Sequence, residues 1–445
     1  MEEKLGTNSS NSSKPPSSDP PWAEPKQNGC RGGKSKRGRG GQPGHEGSTR
    51  ELLPPEQVDE FVPCKPPGKC DCGGRVCCDD EDPQRLQNME LPEVKALVTE
   101  YQLFSGVCER CGRVHMGKLP AGAPSGVLGP RAMAVVAVLS GKYHLSKRQV
   151  EEILEDLLGV QVSLGTVSKT EERVSEALEQ PVEEAKSYVR EQAVVHADET
   201  GHKVAGKKAW VWTAVTSLVS VFLLSSTRGA QAAMELLGAN FGGILVSDRW
   251  DAYNWIDAAR RQLCWAHLIR DFIKIAERKG RSEKIANAIL QYVKEMFALW
   301  HRYRAGKLSR AGLQCKMKTV RANVELLLAQ GAVCGHAKTQ RTCRRILKLK
   351  AALWTFVDAP GVEPTNNIAE RTIRPYVLWR KASFGTQSER GNLFVERMLT
   401  VSATCRQQNR NVLQYVTAAI RAHLRGDTIP SLLPQAVSDV EALAA

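Results

Sequence analysis

From residue 123 to residue 190, apolar positions recur at helical spacing. Residues 131–143 are rich in Ala, Val, Met and Leu, and the pattern resumes in Leu145-Ser146-Lys147-Arg148-Gln149-Val150-Glu151-Glu152-Ile153-Leu154. A break at 159–162 precedes Ser163-Leu164-Gly165-Thr166-Val167-Ser168-Lys169. Ser146 and Ser163 stand where a hydroxyl caps the first free N–H groups of a helix. The periodicity changes at about 191. An apolar strand runs to Asp198, and β-branched and aromatic runs follow at 209–216 and 220–225, the first preceded by a turn at Gly206-Lys207-Lys208. Residues 230–237 read as a short helix, 243–247 as a strand leading into Asp248, and 262–266 as a fifth strand. Helical periodicity returns over 268–355, clearest at 285–303, and two more helices are predicted at 389–408 and 410–425.

The succession strand, strand, strand, helix, strand, helix, strand predicts an α/β catalytic core with a ribonuclease-H-like mixed sheet and a helical insertion. Seven segments are expected. A disordered basic segment covers 1–55, a zinc-binding region 56–122 and a helical helix-turn-helix region 123–190. The first part of the core occupies 191–267, the insertion 268–357, the second part of the core 358–400 and C-terminal helices 401–445. An ordinary helical hairpin is the alternative for the helix-turn-helix pattern.

Charge sharpens the expected partner. The 445-residue chain carries a formal net charge of +14, which suits a polyanion such as nucleic acid. The Gly-, Lys- and Arg-rich stretch 32–44 can follow phosphate without a fixed structure. No run of about 18 apolar residues is present, so no membrane span is predicted, and the first thirty residues lack the apolar centre of a secretory signal. Thirteen cysteines include two close pairs, in Cys70-Asp71-Cys72-Gly73-Gly74 and Cys108-Glu109-Arg110-Cys111-Gly112. Glycine after each second cysteine permits a tight turn, and four thiolates suit a closed structural zinc site. Cys64, Cys77 and Cys78 are rival ligands, and unrelated thiols are the alternative.

Three acids carry the candidate chemistry: Asp198, Asp248 and Glu370. The first two follow separate apolar strands that fit side by side in one sheet. Glu370 follows a helix-start signal at Thr365-Asn366, and the excess length between Asp248 and Glu370 is taken up by the insertion. Carboxylate oxygens are hard ligands for Mg2+ or Mn2+, and a pair of such ions drives in-line attack on a phosphodiester. Each acid has a bland alternative: a solvated strand end for Asp198, a turn start for Asp248, an ion pair with Arg374 for Glu370. Glu199, Asp251, Glu363 and Glu389 are nearby competitors.

Several longer motifs occur in order: Asn11-Ser12-Ser13-Lys14-Pro15-Pro16-Ser17-Ser18-Asp19, Gly40-Gly41-Gln42-Pro43-Gly44-His45, His196-Ala197-Asp198-Glu199-Thr200-Gly201, Ser247-Asp248-Arg249-Trp250-Asp251-Ala252-Tyr253, Gln262-Leu263-Cys264-Trp265-Ala266-His267-Leu268-Ile269-Arg270-Asp271-Phe272 and Asn366-Asn367-Ile368-Ala369-Glu370-Arg371. Through them the chain resembles transposases of the insertion-sequence-66 family across nearly its whole length. The resemblance implies a DDE transposase with Asp198, Asp248 and Glu370 as catalytic ligands of Mg2+ or Mn2+, and structural Zn2+ on Cys70, Cys72, Cys108 and Cys111. DNA is the implied partner, as terminal inverted repeats and target. Lys147, Arg148, Lys169, Arg371, Arg374, Arg380 and Lys381 are candidate DNA contacts, with plain solvation as their alternative. Cys264 and His267 are expected to serve structure or DNA contact rather than catalysis. A homo-oligomer on DNA, accessory proteins of the same element and a cytoplasmic, nucleoid-associated location complete the expectation. The rival functions are a catalytically silent DNA-binding protein and a structure-specific nuclease on the same fold.

Overall fold

A computed structural model describes residues 51–77 and 83–434. Residues 1–50 of the expected basic segment and the rival ligand Cys78 lie outside the described residues. Residues 51–77 and 83–95 belong to one compact unit and residues 96–434 to another. In the first unit the Gln87 amide clamps the backbone of Leu53, accepting from its N–H at 2.8 Å and donating to its carbonyl at 2.9 Å.

The second unit begins with a hairpin of β1 (Ser105–Val107) and β2 (Val114–Met116). Helix α1 (Pro130–Ala137) starts on a proline, whose missing N–H costs nothing in a first turn. Then come α2 (Lys147–Leu158), α3 (Leu164–Ala177) and α4 (Glu179–Arg190). Ser146 and Ser163 cap α2 and α3 as their positions predict, Ser146 in a reciprocal box with Gln149. Gly159 ends α2 with φ 62°, a left-handed stop that suits glycine.

A five-stranded mixed sheet follows, built from β3 (Val194–Val204), β4 (Lys207–Val215), β5 (Ser220–Ser225), β6 (Ile244–Ser247) and β7 (Arg261–Leu263), with α5 (Ala230–Leu237) between β5 and β6. The order is β5-β4-β3-β6-β7. β3, β4 and β5 form an antiparallel meander, while β3, β6 and β7 run parallel. The rest comprises α6 (Trp265–Ala276), α7 (Gly280–Arg304), α8 (Arg310–Gly331), α9 (Ala337–Lys348), α10 (Thr355–Asp358), α11 (Asn367–Ala382), α12 (Glu389–Gln407) and α13 (Val412–Arg425).

Side chains that alternate along the strands separate the cores. Leu245 joins the cluster formed with α1–α5, α12 and α13, whereas its neighbour Val246 joins the cluster of α6–α10. Val211 and Phe222 pack against Ile373 and Tyr376 of α11. Helices therefore cover both faces of the sheet.

Both sheet edges are closed by side chains. Along β5, the N–H groups of Ser220, Phe222 and Leu224 donate to Thr404, Thr400 and Glu396 of α12, at 3.1, 3.1 and 3.0 Å. Four residues of helix rise about 6 Å and two of strand about 6.6 Å, so the two repeats stay in step. Along β7, Gln262 donates to the Leu353 carbonyl and accepts from the Phe356 N–H, and Thr355 donates to the Arg261 carbonyl.

Four predicted features shift. β3 continues past Asp198 to Val204, because β4 pairs with it to the hairpin although β6 leaves it after His196. The turn lies at Ala205-Gly206, both with positive φ, and Lys207 and Lys208 are already in β4. Two short 3-10 turns, rather than an α-helix, link β6 to β7. Trp265 and Ala266 open α6 instead of extending β7, with the Trp265 N–H donating to the Pro364 carbonyl.

Thr400→Val keeps the shape but removes the acceptor for the buried Phe222 N–H. It is expected to cost about 1–3 kcal/mol in equilibrium urea unfolding.

Candidate active site

The parallel pairing of β3 with β6 aligns His196 with Val246. Two residues further on, in the same side-chain parity, stand Asp198 and Asp248. The next parallel strand extends the row, since Ser247 pairs with Leu263 and the Cys264 N–H donates to the Ser247 carbonyl at 2.8 Å. Three adjacent strands thus present Asp198 from within β3, Asp248 just past the end of β6 and Cys264 just past the end of β7.

Glu370 reaches this row through Asn366. The Asn366 amide donates to the Ala197 carbonyl at 2.8 Å, and its Oδ1 lies 3.1 Å from His196 Nδ1. An amide oxygen only accepts, so His196 Nδ1 carries the proton. Burial pushes His196 down to about 4, so the ring is neutral near pH 7. The Asn366 N–H points at Cys264 Sγ, 3.1 Å away, and the Asn366 carbonyl accepts from the Glu370 N–H. Sequence predicted Asn366 or Thr365 as a helix cap; Asn366 holds the N-cap position, but its side chain makes no cap bond and spans to β3 instead. Further along, Arg380 donates to the Gly201 carbonyl at 2.6 Å and keeps α11 on β3.

Glu370 sits in the first turn of α11 and does not take Arg374 as its ion-pair partner among the described contacts. His267 Nδ1 lies 3.4 Å from Glu370 Oε1, Arg270 Nη2 3.9 Å from Oε2, and Cys264 Sγ 3.9 Å from Oε1. Among the described residues, Cys264, His267 and Glu370 are the one group of three His, Cys, Asp or Glu side chains whose possible ligand atoms all lie within 4.8 Å of one another. Cys264 and His267, expected in a structural or DNA-contacting place, thus stand directly against a candidate catalytic acid.

The acids affect one another. Burial, and then the charges of Glu199, Asp248 and Glu370, push the Asp198 carboxyl well above its usual range. Mutual repulsion among oxygen ligands is what a divalent cation relieves, so Asp198, Asp248 and Glu370 fit a hard cation by charge and by donor type. Asp248 Oδ1 accepts from the Trp250 N–H, so it also starts a turn. Glu199 has a different task. It faces away from Asp198 along β3, is held by Arg228 at 2.8 Å and by the Tyr253 hydroxyl at 2.7 Å, and is buried. Arg228 stacks 4.0 Å from the Trp250 ring centre, and the Trp250 indole donates back to the Arg228 carbonyl. Fully buried Arg261 donates to the Asp248 carbonyl at 3.2 Å.

Residues 125–393, more than half of the chain and including all three acids, match the family described as "Transposase IS66 family". The chain belongs to that family. Residues 1–51 match a second description, "Family of unknown function (DUF6444)". Two proteins of Sinorhizobium fredii (strain NBRC 101917 / NGR234) are similar. "Uncharacterized protein y4qI" is 27% identical over 420 residues, covering 85% of this chain and 75% of its own length. "Uncharacterized protein y4hP" is 25% identical over 398 residues, covering 80% and 71%. Membership of a transposase family implies DNA as a partner, and no described helix is long and apolar enough to cross a membrane.

The other predicted residues of this transposase-family chain fall in several places. Lys147 pairs with Ser168 at 2.7 Å and Glu171 at 3.0 Å, so it braces α2 against α3. Arg148, Lys169, Arg371, Arg374 and Lys381 are exposed, and Arg380 is half-buried. Each cysteine pair forms its own turn, with Gly73 at φ 87° and Gly112 at φ 67°. In each, Gly73 or Gly112 donates back to the carbonyl of the first cysteine. Backbone amides, Cys72 first for Cys70 and Cys111 first for Cys108, hold both thiols below the usual range, the bias a thiolate ligand needs. Cys64 and Cys77 are exposed. Arg228, Arg261 and the reach of Asn366 are site features that sequence reasoning missed.

A carboxyl whose folded-state pKa is raised favours folding fully below its ordinary value, 3.8 for Asp198, and loses that contribution as pH rises through the raised value. Metal-free Asp198→Asn is therefore expected to melt above wild type at neutral pH, with the advantage vanishing below about pH 3.8. Added Mg2+ should raise the wild-type melting temperature more than that of the variant.

Proposed function

We propose that this chain is the transposase of an insertion sequence, cutting and joining DNA strands at the element's ends with Asp198, Asp248 and Glu370 on a ribonuclease-H-like core. The observation that carries this reading is the parallel register that sets Asp198, within β3, level with Asp248 at the end of β6, with Glu370 close enough to raise the Asp198 carboxyl. The order of strands and the crossing of the long helical segment between the second and third acids support the same core.

In this reading Asp198, Asp248 and Glu370 hold Mg2+ or Mn2+. When bound, a pair of such ions supplies Lewis acidity to the scissile phosphate and to the attacking and leaving oxygens. Burial and the neighbouring acids raise the Asp198 carboxyl, and the charge of a bound cation would offset that shift. His196 stays neutral and, through Asn366, keeps α11 in register with β3. Arg371 and Arg374, exposed in the turns after Glu370, grip phosphate and orient the strand. The α2–α3 pair reads the terminal repeats through Arg148 and Lys169, a helix-turn-helix role, while the cysteine turns serve as zinc-ligating pairs.

Strand-transfer assays on DNA carrying the element's ends test the reading. Wild type with Mg2+ is expected to nick and join; Asp248→Asn is expected to lose both by roughly three orders of magnitude or more while still binding DNA. Full joining by Asp248→Asn would overturn the three-carboxylate site. Cutting without joining would favour a structure-specific nuclease, and binding without cutting a silent DNA-binding protein. Protein purified without chelator is expected to contain zinc, and Cys70→Ser or Cys108→Ser to lower its zinc content, measured by elemental analysis.

A further inference from the structure

The geometry points to a second cation site, made by Cys264, His267 and Glu370, that selects a thiophilic divalent ion of the zinc class over magnesium. The two residues from β7's end come together because Cys264 is the N-cap of α6 and His267 the third residue of its first turn. Glu370 arrives from α11, and its two oxygens are used differently: Oε1 faces Cys264 and His267, Oε2 faces Arg270. Tetrahedral zinc, with bonds of about 2.3 Å to sulfur and about 2.0–2.2 Å to nitrogen and oxygen, separates its ligands by roughly 3.5 Å. The distances of 3.4 Å from His267 to Oε1 and 3.9 Å from Cys264 to Oε1 match that spacing to within a few tenths of an ångström.

Two further observations separate this cluster from a chance meeting. His267 Nδ1 is buried without a hydrogen bond, although the ring as a whole is partly exposed; a lone pair facing a cation would account for it. The Cys264 sulfur also accepts a hydrogen bond from the Asn366 N–H, 3.1 Å away. A backbone amide aimed at sulfur is the outer support that a metal thiolate uses. Three protein ligands leave a fourth position for water or another oxygen, and the mixed sulfur, nitrogen and oxygen set disfavours magnesium. A thiophilic ion at this site engages the carboxylate that the strand-transfer reading assigns to Mg2+. Competition between the two ions for Glu370 is the one consequence that rests on that reading.

The probe is Co2+, whose visible absorption reports thiolate and imidazole ligation, added to metal-free full-length protein without DNA. Wild type is expected to bind one equivalent more than Cys264→Ser. His267→Gln, at a partly exposed position, provides a variant that leaves the buried sulfur in place; it is expected to bind that equivalent at least about tenfold more weakly. Asp248→Asn is expected to retain it. Equal stoichiometry and affinity in wild type, Cys264→Ser and His267→Gln would overturn the proposal. So would loss of the equivalent in Asp248→Asn, since the ion would then belong to the carboxylate set. Failure of strand transfer leaves these binding results untouched, so the two readings fail separately.

Discussion

One buried amide holds the site together. Asn366 bonds to β3 through Ala197 and His196, and its backbone N–H reaches the sulfur that follows β7. The chain leaves the sheet at Cys264 and returns about a hundred residues later, after four helices and the short α10. A tether that polar, in a place that dry, must be fully satisfied or it costs more than it contributes. Because it is satisfied, the first turn of α11 has one position relative to the strand tips, and Glu370 inherits that position. Packing of Ile373 and Tyr376 on the sheet and the Arg380 bond to Gly201 extend the alignment along the helix.

Alternation along β3 divides two adjacent acids between opposite tasks. Glu199 faces Arg228 and Tyr253, which satisfy its carboxylate inside the core. That ion pair leads through Trp250 to the turn in which Asp248 accepts the Trp250 N–H. Asp198 faces the other way and meets acids instead of cations. The structural carboxylate thus sets the shape of a loop whose neighbour carries the candidate chemistry. Arg261, from below, fixes the backbone at the same residue.

Much of this was legible along the chain. Ser220–Ser225 and Ala230–Leu237 fall where the periodicity puts them, and the capping serines of α2 and α3 are read from type and position alone. The acids stood out only jointly, two after apolar runs and one after a helix-start signal. Less legible were features set by partners distant in sequence. β3 runs six residues past Asp198 because β4 supports it, and nothing in residues 199–204 announces that support. Trp265 and Ala266 suit either a strand or a helix, and the Pro364 carbonyl decides for the helix. Cys264 and His267 lie about a hundred residues from Glu370, so their meeting could not be read from local pattern. Asn366 looked like a cap because caps are local, whereas its bonds are not.

The closed margins of the sheet bear on how copies of this protein can meet. A strand with free N–H and carbonyl groups invites a strand from a second molecule. Here Thr404, Thr400 and Glu396 occupy the outer groups of β5, and Leu353, Thr355 and Phe356 engage β7. Continuous pairing between two such sheets is thereby closed off at both ends. Any assembly of several copies on a DNA segment must then be built from helical and loop surfaces, or through the nucleic acid itself, and each catalytic sheet enters that assembly as a finished unit.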